Sequence, residues 1–170
     1  MKLIPHPASP PREVDIVQVE ADIRRGASTL AYRVAGGSIR VPSPAQPVRA
    51  DGLWRSTCFE LFVKPEGGEE YFEFNFSPST QWAAYRFDRY REGMRDQPLA
   101  VPTIELTEDG IHVVVDLGGL PAGHWRVALT AVVEEQDGTK SYWALAHPSE
   151  KPDFHDDACF TLELPAAGEA

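Results

Sequence analysis

The stretches CFELFVK (residues 58–64) and YFEFNFS (residues 71–77) contain the clearest periodicity in the chain. Hydrophobic and polar residues alternate in both, and a period of two is typical of a β-strand that packs one face against a core. The intervening PEGGEE (residues 65–70) supplies two glycines for a turn, so the strands are predicted to form an antiparallel hairpin. The three phenylalanines of the second stretch are predicted to face the core, because exposing them in a row would create a large apolar patch.

The opposite face of this hairpin is predicted to present Glu60, Tyr71, Glu73 and Asn75, with Cys58 and Phe62 beside them. Two interpretations of this face remain open. It is either the solvated outer face of an antiparallel sheet or a concave face that lines a ligand groove. Glu60 and Glu73 are expected to lie close across the hairpin, where like charges repel unless a cation, a proton or a ligand offsets them.

Alternating runs elsewhere in the chain predict about ten strands, and no helix is predicted. The predicted strands cover residues 14–23, 29–34, 56–64, 71–77, 81–87, 103–107, 111–117, 125–133, 141–147 and 159–164. Asp-Gly and Gly-Gly pairs separate several of these runs and suit tight turns. The expected fold class is all-β: a single-domain antiparallel β-sandwich with jelly-roll or immunoglobulin-like layers.

The ends of the chain are predicted to differ from this domain, which is assigned to residues 13–165. Residues 1–12 contain four prolines and are predicted to form an extended arm with neither strand nor helix. Residues 166–170 are small and polar and are predicted to form a frayed tail.

The composition argues against several classes of function. The chain has 16 Lys and Arg against 26 Asp and Glu, a net charge of −10, which argues against binding to nucleic acid or anionic lipid. No apolar run reaches the roughly 18 residues that a membrane span requires. Because no signal peptide is visible and two cysteines do not form a disulfide framework, we expect a cytoplasmic protein with reduced thiols.

A second informative stretch is HPSEKPDFHDD (residues 147–157), which concentrates charge in a long loop. His155 beside Asp156 and Asp157 suits a divalent metal or a base oriented by a carboxylate, although the spacing matches no zinc motif. The alternative is a charged surface loop. If the loop folds over the acidic face, Lys151 would pair with a glutamate or with an anionic ligand.

The residue types around the hairpin suit a hydroxyl-rich ligand. Aromatic rings cover the apolar faces of sugars, while carboxylates and amides bond to sugar hydroxyls. The candidate ligand-binding residues are Trp54, Arg55, Glu60, Tyr71, Glu73, Asn75, Trp82, Tyr85, Arg86, Trp143, Lys151 and His155.

The same region resembles a known family. LWRSTCFELFV (residues 53–63), YFEFNFS (residues 71–77) and WAAY (residues 82–85) are similar to the core of the DOMON-like superfamily, and within it to the carbohydrate-binding module family 9-like group. The matched motif positions are Trp54, Glu60, Tyr71 and Asn75. The resemblance implies a β-sandwich that binds a sugar or haem, or has no known ligand, with calcium in some members.

The departures from the family pattern argue against a cofactor. An acidic cluster that helps to bind calcium in some relatives is replaced here by Arg55-Ser56-Thr57. Haem requires an axial pair, and Met94 and His112 are not predicted to pair. No cofactor is therefore expected, although the resemblance keeps calcium and haem as alternatives.

The function expected from these observations is non-catalytic binding of a small polar ligand, a carbohydrate or another polyhydroxylated compound, on a concave sheet face. One alternative is a glycosidase-like hydrolase that uses Glu60 and Glu73, with His155 as an auxiliary group. The other alternative is a protein-interaction module. The expected partner is thus a saccharide-like small molecule rather than a nucleic acid or a membrane.

Overall fold

The computed structural model describes residues 1–166 and shows two antiparallel sheets packed face to face, which confirms the predicted β-sandwich. The larger sheet has eight strands: β1 (Ile4–Pro5), β4 (Cys58–Pro65), β5 (Tyr71–Phe76), β6 (Trp82–Phe87), β7 (Arg95–Asp96), β10 (Trp125–Glu134), β11 (Lys140–Ala144) and β12 (Leu162–Leu164). The smaller sheet has four strands: β2 (Ile16–Asp22), β3 (Ala27–Ala35), β8 (Thr103–Leu106) and β9 (Gly110–Asp116).

The strand order places the predicted hairpin in the middle of the larger sheet. The order is β1-β11-β10-β4-β5-β6-β7, and β12 pairs with the first residues of β10. The smaller sheet has the order β2-β3-β9-β8. Because β4 and β5 have neighbours on both sides, their side chains are held on a rigid central surface.

The phenylalanine face of the hairpin forms the core, as the alternation predicts. Leu61 lies opposite Phe74 and Phe59 lies opposite Phe76, and all four side chains are fully buried between the sheets. Tyr32 of β3 crosses from the smaller sheet, and its hydroxyl donates to the Glu60 carbonyl oxygen at 2.6 Å. This bond ties the two sheets together directly beneath the acidic face.

The N-terminal arm is extended but contains a strand that its prolines argued against. Leu3 is fully buried and its N–H donates to the Val17 carbonyl at 2.9 Å, while Ile4 and Pro5 pair with β11. The prediction of no strand in residues 1–12 is therefore wrong at these two residues. Proline is tolerated here because β1 is an edge strand, where a missing backbone N–H costs little.

Two further segments differ from the prediction. β7 is a two-residue edge strand that the sequence did not indicate, and with β1 it brings the number of strands in residues 1–166 to twelve. The last strand begins at Leu162 rather than Cys159, because residues 157–159 form a 3₁₀ turn in which the Ala158 N–H donates to the Asp156 carboxylate at 2.9 Å. Cys58 and Cys159 are both buried free thiols. Of the predicted tail, residues 167–170 lie outside the described part of the chain.

Within residues 1–166, no helix is long and apolar enough to cross a membrane.

Candidate functional site

The acidic face of the hairpin is buried, which rules out the interpretation as a solvated outer face. Glu60 is 2% exposed, Glu73 6% and Asn75 0%. The covering layer is the segment 147–160, whose Phe154 and Phe160 rings lie 6.5 and 6.1 Å from the ring of Phe62. A carboxyl group beneath such a layer is removed from bulk water, so its pKa depends on burial and on the groups packed around it.

A cavity of about 480 Å³ remains between the acidic face and this covering segment. Six aromatic residues form most of its walls: Trp54, Phe62, Tyr85, Phe87, Tyr142 and Phe154. Met94, Val132 and Pro152 add apolar contacts, and the polar groups come from Glu60, Glu73, Arg91 and His155. The cavity is within the size range of small-ligand pockets, which are lined mainly by apolar groups with a few placed polar ones.

The two glutamates occupy diagonal positions across the hairpin. Glu60 lies opposite Asn75 and Glu73 lies opposite Phe62, a register in which diagonal neighbours are spaced by about 7–8 Å. The two carboxyl groups are therefore diagonal neighbours on the same face of the hairpin rather than directly opposite each other. Glu60 Oε2 accepts a hydrogen bond from the Thr130 hydroxyl at 3.0 Å, from the neighbouring strand β10.

Both carboxyl groups favour their protonated forms. Burial raises the pKa of Glu60 well above its ordinary value, and the charge of Glu73 raises it further. Burial also raises the pKa of Glu73, to about 7, against smaller lowering effects from Asn75 and Arg91. The floor of the cavity therefore holds acids that can donate a proton as well as accept one near neutral pH.

His155 forms the polar wall beside Glu73. Its Nδ1 lies 2.7 Å from the Tyr71 hydroxyl, and its Nε2 lies 3.7 Å from Glu73 Oε2. The Tyr71 oxygen also accepts the backbone N–H of Arg91 at 3.1 Å, so we infer that the Tyr71 proton is donated to Nδ1. The imidazole proton then lies on Nε2, facing Glu73. Burial lowers the pKa of His155 to about 4, which keeps the ring neutral at pH 7.

Tyr71 positions this histidine rather than lining the cavity itself. Its ring is stacked on Phe87, with centroids 4.8 Å apart and planes 4° apart, and it is 2% exposed. Asn75 is also behind the cavity floor. It is fully buried directly opposite Glu60, and both of its amide atoms lack a hydrogen-bond partner.

The mouth of the cavity is formed by three separate loops. Trp54 lies on a 3₁₀ turn, Leu53–Arg55, and is half exposed. Arg91 bonds to Asp153 at 2.7 Å and so links the turn after β6 to the covering segment. Tyr85 is fixed in the wall because its hydroxyl donates to Asp51 Oδ1 at 2.5 Å. Ion pairs and hydrogen bonds between loops hold the opening in shape.

The structure brings five of the predicted residues together around the cavity. They are Trp54, Glu60, Glu73, Tyr85 and His155. Tyr71 and Asn75 support them from behind. Arg55 lies outside the lining, where its guanidinium carbon is 5.5 Å from the Trp54 ring. Lys151 is exposed on the covering segment next to Pro152, which does line the cavity.

Three other predicted residues lie on the wrong face of the sheet for this cavity. Trp82 lies opposite Phe76, and Trp143 lies opposite Ala131, so both rings are buried in the core between the sheets. Arg86 lies opposite Phe72 and pairs with Glu70. Because side chains alternate along a strand, these positions point away from the face that carries Glu73 and Tyr85.

Sequence reasoning did not identify several lining residues. Arg91 and Met94 come from the turn between β6 and β7, Val132 and Tyr142 from β10 and β11, and Phe154 from the covering segment. The alternation of β10 and β11 places the two strand residues on the acidic face, so that signal was available. The loop residues carry no periodicity that would place them.

The positions of the candidate metal and haem ligands are relevant because the family resemblance keeps calcium and haem as alternatives. Among residues 1–166, no group of three His, Cys, Asp or Glu side chains is arranged to hold a metal ion. Met94 and His155 line the same cavity, with His155 Nδ1 bonded to the Tyr71 hydroxyl and Nε2 facing Glu73 at 3.7 Å. His112 lies on β9 of the smaller sheet, away from Met94.

Comparison with known proteins shows the fold. No family model and no curated protein matches the sequence. A candidate carbohydrate-binding protein from Bacteroides uniformis superposes with a TM-score of 0.65 at 16% identity, over 91% of this chain and 79% of that one. A carbohydrate-binding module family 9 domain from Caldicellulosiruptor kristjanssonii is also similar, in its complexes with glucose and with cellotriose. The TM-scores are 0.51 and 0.50, both at 9% identity, over 91% and 88% of this chain and 78% and 74% of the module.

Proposed function

We propose that this protein is a non-catalytic binding domain for a carbohydrate, held in the cavity above the acidic face of β4 and β5. The observation that carries the proposal is the combination of two buried carboxyls on the floor with aromatic walls and a half-exposed tryptophan at the mouth. Glu60 and Glu73 would accept hydrogen bonds from ligand hydroxyls, and Trp54 would cover an apolar sugar face.

The comparisons support this choice of ligand class. The structurally similar proteins include a candidate carbohydrate-binding protein and a module bound to glucose and cellotriose. At 9–16% identity these similarities establish only the architecture. The proposal for this chain therefore depends on its own cavity, which lies on the face that the hairpin predicts.

A hydrolytic function is the second candidate because Glu73, with a pKa of about 7, has the protonation behaviour of a general acid. A glycosidase also needs an ionised carboxylate on the other side of the scissile bond. Burial and the neighbouring Glu73 both raise the pKa of Glu60, which disfavours that role. Binding without turnover is the better match to this pair.

The acidic face gives little support to the protein-interaction alternative, because the segment 147–160 covers it. A protein partner needs an exposed surface, and Glu60 and Glu73 are almost inaccessible. A small molecule that enters past Trp54 meets no such restriction.

The proposal is tested by thermal unfolding in the presence of a panel of neutral and aminated mono- and disaccharides. A ligand at 100 times its Kd stabilises a folded protein by about 2.7 kcal/mol, or roughly 5–10 °C for a domain of this size. Trp54→Ala should abolish the ligand-induced shift while leaving the unliganded Tm unchanged, since Trp54 is half exposed.

The matched control is Leu106→Ala, which removes an equally exposed apolar side chain from β8 of the other sheet. This variant should keep the full ligand-induced shift. Absence of a shift with every saccharide would overturn the proposal. Turnover of an aryl glycoside by the wild type that disappears in Glu60→Gln would replace it with the hydrolase.

A further inference from the structure

The carboxyl groups of the cavity floor are less satisfied than the other buried carboxyls of the chain. Glu135 is 2% exposed and accepts three backbone N–H groups, from Arg12, Glu13 and Val14. By contrast, Glu60 accepts one hydroxyl, from Thr130, and the closest basic group to Glu73 is His155 Nε2 at 3.7 Å. Buried carboxylates are normally paired or fully hydrogen-bonded, so this floor has unused capacity for donors.

The basic side chains around the floor do not supply the missing positive charge. Within the described chain, neither Glu60 nor Glu73 forms an ion pair with lysine or arginine. Arg91 lines the cavity, but its guanidinium bonds to Asp153 at 2.7 Å. His155 is neutral at pH 7 because burial lowers its pKa to about 4.

A third polar group on the same face is also unsatisfied. Asn75 is fully buried, directly opposite Glu60 and two residues from Glu73 on β5, and neither its amide oxygen nor its amide nitrogen has a partner. An unpartnered buried amide costs free energy comparable to a lost hydrogen bond, so Asn75 adds to the number of unsatisfied polar groups at the floor.

The walls around these groups suit a positive charge. Six aromatic rings line the cavity, and aromatic faces attract cations through their quadrupoles. Desolvated cation–π contacts together with an adjacent carboxylate are a common arrangement for binding an ammonium group. A neutral hydroxyl gains no comparable attraction from the rings.

We infer that the ligand carries an ammonium group that binds Glu73, so that the carbohydrate is an aminated sugar. This inference rests on the proposed function and specifies its ligand. The ammonium N–H groups donate to the Glu73 carboxylate, and the remaining hydroxyls and ring face contact the aromatic walls.

The protonation of the floor gives the inference a distinct signature. Ammonium binding favours the ionised carboxylate, so a proton held by Glu73 in the free protein is released to solvent. The groups that face Glu73 are Glu60 from β4, Asn75 from its own strand, Tyr85 from β6, Arg91 from the following turn and His155 from the covering segment. Glu60 and Glu73 are the carboxyl groups that line the cavity. Because the pKa of Glu73 is about 7, ammonium binding near pH 6.5 should release most of one proton from Glu73.

The test is isothermal titration calorimetry at pH 6.5 with two disaccharides of the same shape: cellobiose and the β-1,4-linked dimer of glucosamine. The glucosamine dimer should bind at least about tenfold more tightly than cellobiose. Repeating the titration in two buffers of different ionisation enthalpy should reveal release of about three quarters of a proton for the glucosamine dimer and none for cellobiose.

The variants separate this inference from general carbohydrate binding. Glu73→Gln should remove the preference for the amine and the proton release, and Glu105→Gln, an exposed glutamate on β8, should retain both. Glu73→Asp provides a second variant if Glu73→Gln does not fold. It keeps a carboxyl group but withdraws it by one methylene, so it should weaken the preference for the amine while still releasing a proton.

The outcomes are distinguishable. Equal binding of both disaccharides, or a preference that survives Glu73→Gln, would overturn the inference and leave the proposed function standing. Binding of neither, together with binding of methylammonium chloride, would support ammonium recognition and overturn the carbohydrate proposal. Binding of none of the three would overturn both.

Discussion

Replacing Glu73 by glutamine should increase the free energy of unfolding at alkaline pH. At acidic pH the increase should be much smaller. Glu73 is 6% exposed, and burial raises its pKa from an ordinary value of 4.5 to about 7. Below pH 4.5 the carboxyl is protonated in the folded and the unfolded chain, so it costs nothing. Between pH 4.5 and 7 the unfolded chain loses its proton first, so folding stability falls as pH rises.

The magnitude follows from that displacement of the pKa. Ionisation of Glu73 lowers the free energy of unfolding by about 3 kcal/mol once the pH is above 7. Less than about 1 kcal/mol of this decrease has occurred at pH 5. Glutamine has nearly the shape of the protonated acid and never ionises. Glu73→Gln should therefore gain about 2–3 kcal/mol more at pH 8 than at pH 5, or roughly 5–10 °C in Tm.

The assay is thermal or urea unfolding of wild type and variant at both pH values, with Glu105→Gln as the control. His155 makes folding stability rise with pH between pH 4 and 6.5, because its pKa is lowered to about 4 in the folded protein. This contribution is present in wild type and variant, so it largely cancels in the difference between their Tm values. A Tm difference that is the same at pH 5 and pH 8 would mean that Glu73 ionises as it does in water. The description of a buried acidic floor would then be refuted.

Two further substitutions test the scaffold. Glu135→Ala should cost about 2–4 kcal/mol in urea unfolding and should remove hydrogen-exchange protection from residues 12–14, because three backbone N–H groups lose their acceptor; unchanged protection would contradict that role. Gly110→Ala should cost more than about 2 kcal/mol, since an added Cβ would lie 1.9 Å from the Tyr32 carbonyl oxygen, whereas Gly119→Ala has open space and should be neutral. Equal effects of the two alanines would contradict the close approach of β3 and β9.

The alternation of the central hairpin was sufficient to predict its two faces. Phe74 is buried between the sheets and Glu73 is on the other side, as a period of two requires. Local pattern also predicted the sandwich, because short alternating runs separated by glycine turns have few other ways to bury one face.

The burial of the acidic face could not be predicted from the alternation of the hairpin, because another segment of the chain covers that face. The segment 147–160 has no period, so its path across the sheet is determined by tertiary contacts such as those of Phe154 with Phe62. Trp82 and Trp143 show a related limit, since alternation says which neighbours share a face but leaves open which face is the core. Their inward orientation follows from pairing with Phe76 and Ala131.

The most direct test of the central claim is a ¹H–¹⁵N spectrum of the four tryptophan indole N–H groups during titration with a saccharide. Trp54 lines the mouth of the cavity and is half exposed, whereas Trp82, Trp125 and Trp143 are buried in the core. The signal that is missing in Trp54→Phe should move on addition of ligand, and the other three should stay in place. Movement of the core signals with a fixed Trp54 signal, or no movement at saturating saccharide, would contradict a binding site in this cavity.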